Sequence, residues 1–254
     1  MLIQPNIKAR RLGYIKLMLL FLEKDSGKRE LPLRFAHFAT QSDDKLSSYK
    51  DWHGQIFLDK NPRKSATPYV KLAESLDLIK KRNNSYSLSE HYPFQYESSP
   101  FKLYSEERMW FLNLFLRHDP IGLFLVFVMI ENKTSYLWLR DNHDAITLEL
   151  VDRLPYNHFL TSTLNLLASN TDNKLAKSSF FLPRLHWYYD LELLQLEYSI
   201  TKSKTESLSA IGLDTPGIKL KRQITQVFDE LDTMDKSEFV KRMRLLSKIS
   251  IFDV

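Results

Sequence analysis

The chain contains no cysteine, which excludes disulfides, cysteine-rich zinc modules and thiol nucleophiles. It has only 6 glycines in 254 residues and neither of the glycine-rich nucleotide signatures, Gly-x-Gly-x-x-Gly or Gly-x-x-x-x-Gly-Lys. No Gly-x-Ser-x-Gly elbow is present either, which argues against a serine hydrolase. With 254 residues, of which 43% are hydrophobic, the chain can nevertheless form one large domain or two small ones, each with a hydrophobic core. We expect a cytoplasmic protein without a cofactor.

Two apolar stretches are candidates for a signal peptide or a transmembrane helix. The first, residues 15–22, contains Lys16 and is followed by charges rather than a cleavage site, so it predicts an amphipathic helix. The second, residues 109–130, is interrupted in its middle by Asp119 and Pro120. Asp119 is a suitable N-cap and Pro120 a suitable first helical residue. We predict a buried helical hairpin over 104–130 and no membrane contact.

Positive charge is concentrated in the N-terminal third of the chain. The formal net charge is +5, but residues 1–34 and residues 60–82 each carry +5 alone, so the remainder sums to −5. Basic residues on helices are commonly solvated surface. Two such segments interleaved with hydroxyl and aromatic residues nevertheless favour nucleic acid as a polyanion partner.

An internal repeat suggests two related units. Residues 68–79 align without gaps on residues 183–194, each with a proline, seven residues, and then leucine, an acid, leucine and an aliphatic residue. The first copy continues into a basic tip at 80–84 and the strand-like Tyr-Ser-Leu-Ser, a hairpin pattern around an Asn-Asn turn. The second copy continues similarly with a longer turn. Ser89 and Ser209 are candidates to cap the next element.

These helix-and-hairpin patterns resemble winged-helix domains, over residues 10–92 and more weakly 155–213. The Leu-Ser-x-x-Gly of the wing exit is kept at residues 208–212, whereas Tyr92 replaces the glycine of the first copy. The resemblance implies a recognition helix over 67–76 that enters the major groove and a wing tip at 80–84 on the backbone. The DNA-facing residues it implies are Lys64, Ser65, Thr67, Tyr69, Lys71, Lys80, Lys81 and Arg82. The second helix is aromatic, which assigns Trp187, Tyr188 and Tyr189 to a protein partner or to the core.

Residues able to carry catalysis or hold a metal are not found in a recognised arrangement. No histidine pair has zinc-ligand spacing, and we predict that residues 141–144 form a polar turn rather than a cation site. Asp144 and Glu149 lack the lysine that a nuclease motif needs. We therefore expect no catalytic residues and no enzyme. Residues 215–254 predict two helices, with Asp235 and Ser237 as candidate caps of the second.

The sequence thus predicts a mainly α protein with small β-hairpins, in which a helical hairpin joins two winged-helix-like units. Its expected parts are residues 1–100, 101–135, 136–214 and 215–254. The resemblance extends weakly to small tandem-winged-helix accessory subunits of bacterial SMC-type, Lamassu-like defence complexes. It implies a DNA-associated adaptor in anti-plasmid or anti-phage defence, with a larger SMC-like ATPase and a nuclease as partners. The alternatives are a stand-alone transcription regulator and a divalent-metal nuclease.

Overall fold

The computed structural model describes residues 2–24, 28–41, 62–89, 103–131, 133–153, 159–169, 174–200 and 206–246. The chain divides into two compact units. One unit is formed by residues 8–108, and the other by residues 1–7 together with 109–254. Because the first lies within the sequence of the second, we call them the inserted unit and the outer unit. The predicted parts 101–135, 136–214 and 215–254 thus fall almost wholly into one compact unit.

Where the structure describes it, the inserted unit is a set of helices with one small antiparallel sheet. Its elements are α1 (Leu12–Lys24), β1 (Lys28–Arg29), α2 (Leu31–Gln41), α3 (Pro62–Ser75), β2 (Ile79–Arg82) and β3 (Ser85–Leu88). The sheet order is β1-β3-β2, with both pairs antiparallel. The helix α4 (Ser105–His118) starts at the end of this unit and continues into the outer unit.

The outer unit repeats the same plan with more helix. Its further elements are α5 (Pro120–Met129), β4 (Lys133–Ser135), α6 (Tyr136–Arg153), α7 (Thr161–Ser169), α8 (Lys174–Asp190), β5 (Leu194–Ile200), β6 (Glu206–Leu213), α9 (Thr215–Asp229), a 3₁₀ turn (Leu231–Thr233) and α10 (Lys236–Leu246). The sheet order is β4-β6-β5, which matches β1-β3-β2 position by position. The mainly α fold class with small hairpins is confirmed.

The aligned repeat has its structural counterpart at the ends of α3 and α8. Asp77 and Glu192 both adopt left-handed backbone angles, with φ of 56° and 57°. The next amide donates five residues back in each case, from Leu78 to Ala73 and from Leu193 to Tyr188, both at 2.9 Å. This is the Schellman motif, which satisfies the last carbonyls of a helix and turns the chain into the following strand.

The core of the inserted unit surrounds α1. Residues 12–20 and Leu22 are all buried, so α1 is enclosed on every side and is not the amphipathic helix that the sequence predicted. Lys16 is included in this burial, and its Nζ lies 2.7 Å from Glu107 Oε1 and 2.9 Å from Glu107 Oε2. Glu107 also accepts from the amide of Tyr104 at 3.0 Å. An unpaired charge would be very unfavourable here, so each residue makes the burial of the other tolerable.

The outer unit contains a second buried ion pair, between Asp119 and Arg184. Both side chains are completely buried, and the guanidinium contacts both carboxylate oxygens, at 2.7 and 2.8 Å. The same two residues hold the main chain of Ile3: its amide donates to Asp119 at 2.8 Å and its carbonyl accepts from Arg184 at 2.6 Å. Arg184 further donates to the carbonyl of Phe180 and lies 4.1 Å from the centre of that ring. All three guanidinium nitrogens of Arg184 therefore donate, and both carboxylate oxygens of Asp119 accept.

The predicted cap of α5 is confirmed, with a different role for the side chain. Asp119 occupies the N-cap position and Pro120 follows it, but the carboxylate makes no capping hydrogen bond. Its oxygens are taken by Arg184 and Ile3 instead. The axes of α4 and α5 meet at 104°, so the predicted hairpin is a sharp corner. Within the described residues, no single helix is long and apolar enough to span a membrane. Taken together, the two helices of this bent pair reach that length and apolar composition.

Three local predictions have different outcomes. Asp235 caps α10 as predicted, because its Oδ1 accepts from the amide of Glu238 at 2.8 Å. Residues 141–144 do not form a turn, because they lie inside α6. Ser209 does not cap a new element: it lies inside β6, and its hydroxyl donates to the carbonyl of Glu197.

We predict that Arg184→Met lowers the free energy of unfolding by about 3–5 kcal/mol, because it leaves the Asp119 carboxylate buried without its counter-ion. Arg242→Met is the matched control. Arg242 pairs with Glu230 and Glu238 at the surface, and its loss should change stability little. Urea denaturation followed by circular dichroism measures both. Equal effects of the two substitutions would contradict the role assigned to the buried pair.

Candidate nucleic-acid interface

One face of α3 carries the cations that the sequence singled out. Lys64 and Lys71 are exposed and Thr67 is half-buried. These three residues follow each other at intervals of three and four, which places them along one side of a helix. The opposite side is apolar and enters the core of the inserted unit.

Two residues that we predicted to face DNA do not lie on this face. Ser65 and Tyr69 are both buried, and the Tyr69 ring packs against Tyr14 of α1 with centroids 5.2 Å apart. Ser65 and Tyr69 are one turn apart, so the same side of α3 buries both. Both assignments to DNA are therefore corrected to core packing.

The hairpin after α3 presents its cations in two sets. Along a strand, neighbouring side chains point to opposite faces of the sheet. Ile79 and Lys81 share the face that also bears Tyr86, which is buried, and Lys81 Nζ lies 5.6 Å from the centre of that ring. Lys80 and Arg82 therefore occupy the other, outward face.

Two serines complete this outward face. The register pairs Lys80 with Ser87 and Arg82 with Ser85. Cross-strand partners lie on the same face, so two cations and two hydroxyl groups stand together. The strand Ser-Tyr-Ser-Leu alternates polar and apolar residues, and this alternation indicates that its two serines share one face. The sequence prediction of the DNA-facing residues used the charges of the hairpin and did not include these serines. At the tip, Asn83 and Asn84 have φ of 47° and 64°, the angles that a type I′ hairpin turn requires.

The equivalent face of the outer unit lacks these cations. With the repeat aligned, Thr67 and Lys71 correspond to Leu182 and His186, and Lys80, Lys81 and Arg82 correspond to Gln195, Leu196 and Glu197. No cation is retained at these five positions. His186 is bound at both ring nitrogens, by the carbonyl of Leu182 at 2.7 Å and the hydroxyl of Tyr198 at 3.0 Å.

The aromatic residues assigned to a protein partner separate into core and surface. Trp187 and Tyr188 are fully buried: Trp187 stacks on Phe115 at 5.2 Å, and Tyr188 contacts Phe115 and Phe127. They are core residues, which corrects their assignment to a partner surface. Tyr189 is 45% exposed and is the one of the three that can reach a partner.

No group of metal-ligating side chains occurs among the residues that the structure describes. Asp141 forms an exposed ion pair with Arg140 at 2.9 Å, which raises the pKa of Arg140. His143 is buried between Phe180 and Phe181, with its Nδ1 3.0 Å from Asp144. These contacts are those of a helix surface and its buried side rather than of a cation site.

Comparison with known proteins does not assign this chain to a family. No model of a known protein family matches, and no curated protein matches. Among solved structures, the restriction endonuclease FokI is similar with a TM-score of 0.40 and 12% identity, over 84% of this chain and 45% of that one. The chain thus spans less than half of that protein.

The prediction that the chain is not an enzyme is contradicted by this comparison, because the similar structure is that of an endonuclease. The exclusion of enzymes therefore does not stand. A TM-score of 0.40 is at the same time too low to transfer an activity, so the likeness assigns no reaction to this chain.

We predict that Tyr188→Phe reduces the loss of stability at alkaline pH. Burial, followed by the negative charge of Asp119, raises the pKa of Tyr188 well above the ordinary 10.0, although Arg184 opposes the shift. In the unfolded chain the phenol ionises near that ordinary value, so its stabilising contribution is complete below pH 10 and is lost as the pH rises further. Thermal unfolding between pH 8 and roughly 11 measures this slope. If stability falls equally steeply with pH in the wild type and in Tyr188→Phe, the raised pKa of Tyr188 is contradicted.

Proposed function

We propose that the inserted unit binds double-stranded DNA through α3 and the β2–β3 hairpin. The observation that carries the proposal is the set of five exposed cations on these two consecutive elements, Lys64, Lys71, Lys80, Lys81 and Arg82. Phosphate neutralisation by such side chains supplies nearly all of non-specific DNA binding and a large share of specific binding.

The two elements have different tasks in this proposal. The outward face of α3 enters the major groove, with Thr67 as its half-buried, non-cationic side chain. The hairpin lies on the phosphate backbone, with Lys80 and Arg82 as cations and the hydroxyl groups of Ser85 and Ser87 as donors. Because phosphate contacts outnumber base contacts, we expect weak sequence preference.

Duplex DNA is favoured over duplex RNA on geometric grounds. The major groove of B-form DNA admits an α-helix. That of A-form RNA is deep and narrow, so a helix such as α3 cannot enter it. A chain that binds through α3 should therefore discriminate between the two duplexes.

The wider role depends on what the outer unit binds. As an accessory subunit, the chain would join DNA on the inserted unit to a larger protein on the outer unit, and an SMC-type partner stays a prediction from the resemblance. As a transcription regulator, it would join DNA to a second copy of itself. Both roles are supported by the loss of cations from the repeat-equivalent face of the outer unit.

We predict that Lys80→Ala with Arg82→Ala weakens duplex binding similarly on unrelated sequences. Removing two phosphate contacts should make the plot of log binding constant against log salt concentration shallower by about 1.8, at roughly 0.9 per contact. Fluorescence anisotropy on two labelled duplexes of different sequence, each at four salt concentrations, measures both quantities.

The control is Lys236→Ala with Lys241→Ala, which removes the same charge from exposed positions of α10 in the outer unit. It should leave the salt slope unchanged. A wild-type slope in the hairpin variant, or an equal change in the control, would reject the hairpin as the binding element.

A further inference from the structure

The strand β5 is an edge strand with an apolar, exposed end. It is the last strand in the order β4-β6-β5 of the described sheet. Its four final residues are exposed, including Tyr198 at 49% and Ile200 at 77%. A register irregularity occurs at Glu197 and Tyr198, but the extra residue, Ser209, belongs to β6. The strand β5 itself therefore remains regular along this edge.

The equivalent edge of the inserted unit is protected and β5 is not. The strand β2 occupies the same position in its own sheet and carries Lys80, Lys81 and Arg82. Lysine and arginine on an edge strand prevent pairing with other chains. The only charged residue of β5 is Glu197, whose carboxylate lies 2.7 Å from Lys133 Nζ of the same chain. The repeat thus shows the usual protection in one copy and its loss in the other.

The exposed end of β5 is complementary to itself. In an antiparallel pairing of two such strands centred on Tyr198, each Leu196 lies opposite the other copy's Ile200, and the two Tyr198 residues lie opposite each other. Leu196, Tyr198 and Ile200 alternate along the strand, so all three apolar residues share one face. Glu197 then lies opposite Ser199 on the other face.

Other registers are less favourable. Centring the pairing on Glu197 opposes two carboxylates, and like charges directly opposite each other are destabilising. Centring it one position later, on Ser199, leaves only residues 198–200 of the strand in the pairing and separates the two Tyr198 residues. Aromatic and aliphatic cross-strand pairs both stabilise a sheet, so the Tyr198 centre is preferred.

We propose that this chain forms a symmetric dimer in which β5 pairs antiparallel with β5 of a second copy, with the two-fold axis at Tyr198. The pairing joins two three-stranded sheets into one six-stranded sheet. A contact of about five residues per chain is smaller than a standard protein interface, so the dimer dissociates on dilution. The proposal does not depend on DNA binding by the inserted unit.

The first experiment measures mass against concentration by sedimentation equilibrium. The wild-type protein should shift from monomer to dimer as concentration rises. Ile200→Lys places a charge opposite Leu196 and should weaken dimerisation at least tenfold. Ile218→Lys is the matched control, because Ile218 is a 49% exposed isoleucine on α9 of the same unit, and it should dimerise as wild type does.

The second experiment uses the absence of cysteine to determine the register. Tyr198→Cys should form a disulfide-linked dimer on mild oxidation, because directly opposite residues in antiparallel strands lie within disulfide distance. Ile200→Cys alone should cross-link poorly. It should cross-link well when mixed with Leu196→Cys.

The proposal is overturned if the wild-type protein stays monomeric at all concentrations. It is also overturned if a dimer persists in Ile200→Lys, or if Tyr198→Cys fails to cross-link while the dimer forms. Duplex affinity measured at concentrations where the protein is monomeric tests the inserted unit separately, so failure of one proposal is distinguishable from failure of the other.

Discussion

The buried pair of Asp119 and Arg184 is the constraint on which the outer unit depends. A charge removed from water must meet its counter-ion and fill its hydrogen bonds, and few backbone arrangements allow this. The pair fixes the start of α5, the middle of α8 and the main chain of Ile3 relative to one another. A Cβ at position 122 would lie 2.6 Å from the Asp119 carboxylate and still closer to the Arg184 guanidinium, which explains the glycine there.

The two units show how far one backbone plan permits surfaces to diverge. In both, a helix ends in a Schellman motif with an acidic residue in the left-handed conformation, and a hairpin follows. What differs is the outward face of helix and hairpin, which carries lysine and arginine in one copy and neither of them at the equivalent positions of the other. Position 69 shows the same divergence inside: Tyr69 packs in an aromatic core, whereas its counterpart Arg184 anchors an ion pair.

Local sequence signals predicted the elements better than the surfaces. The repeat, the Asp119-Pro120 start and the Asp235 cap depend on neighbouring residues, and each predicted its structure correctly. The strands β1 and β4 were missed because two or three residues carry no alternation to detect. Which polar residues are buried depends on distant parts of the chain: the partner of Lys16 is Glu107, 91 positions away, and no local pattern indicates it.

The hydrogen bonds to the main chain of Ile3 also determine when, during synthesis, this residue can reach its folded position. Its partners come 116 and 181 residues later in the chain, so Ile3 leaves the ribosome long before Asp119 and Arg184 have been made. At about 5–20 residues per second, the delay before Arg184 is made is on the order of ten seconds or more. The inserted unit is translated completely within that interval. The segment around Ile3 therefore reaches its final place only after the inserted unit has been made.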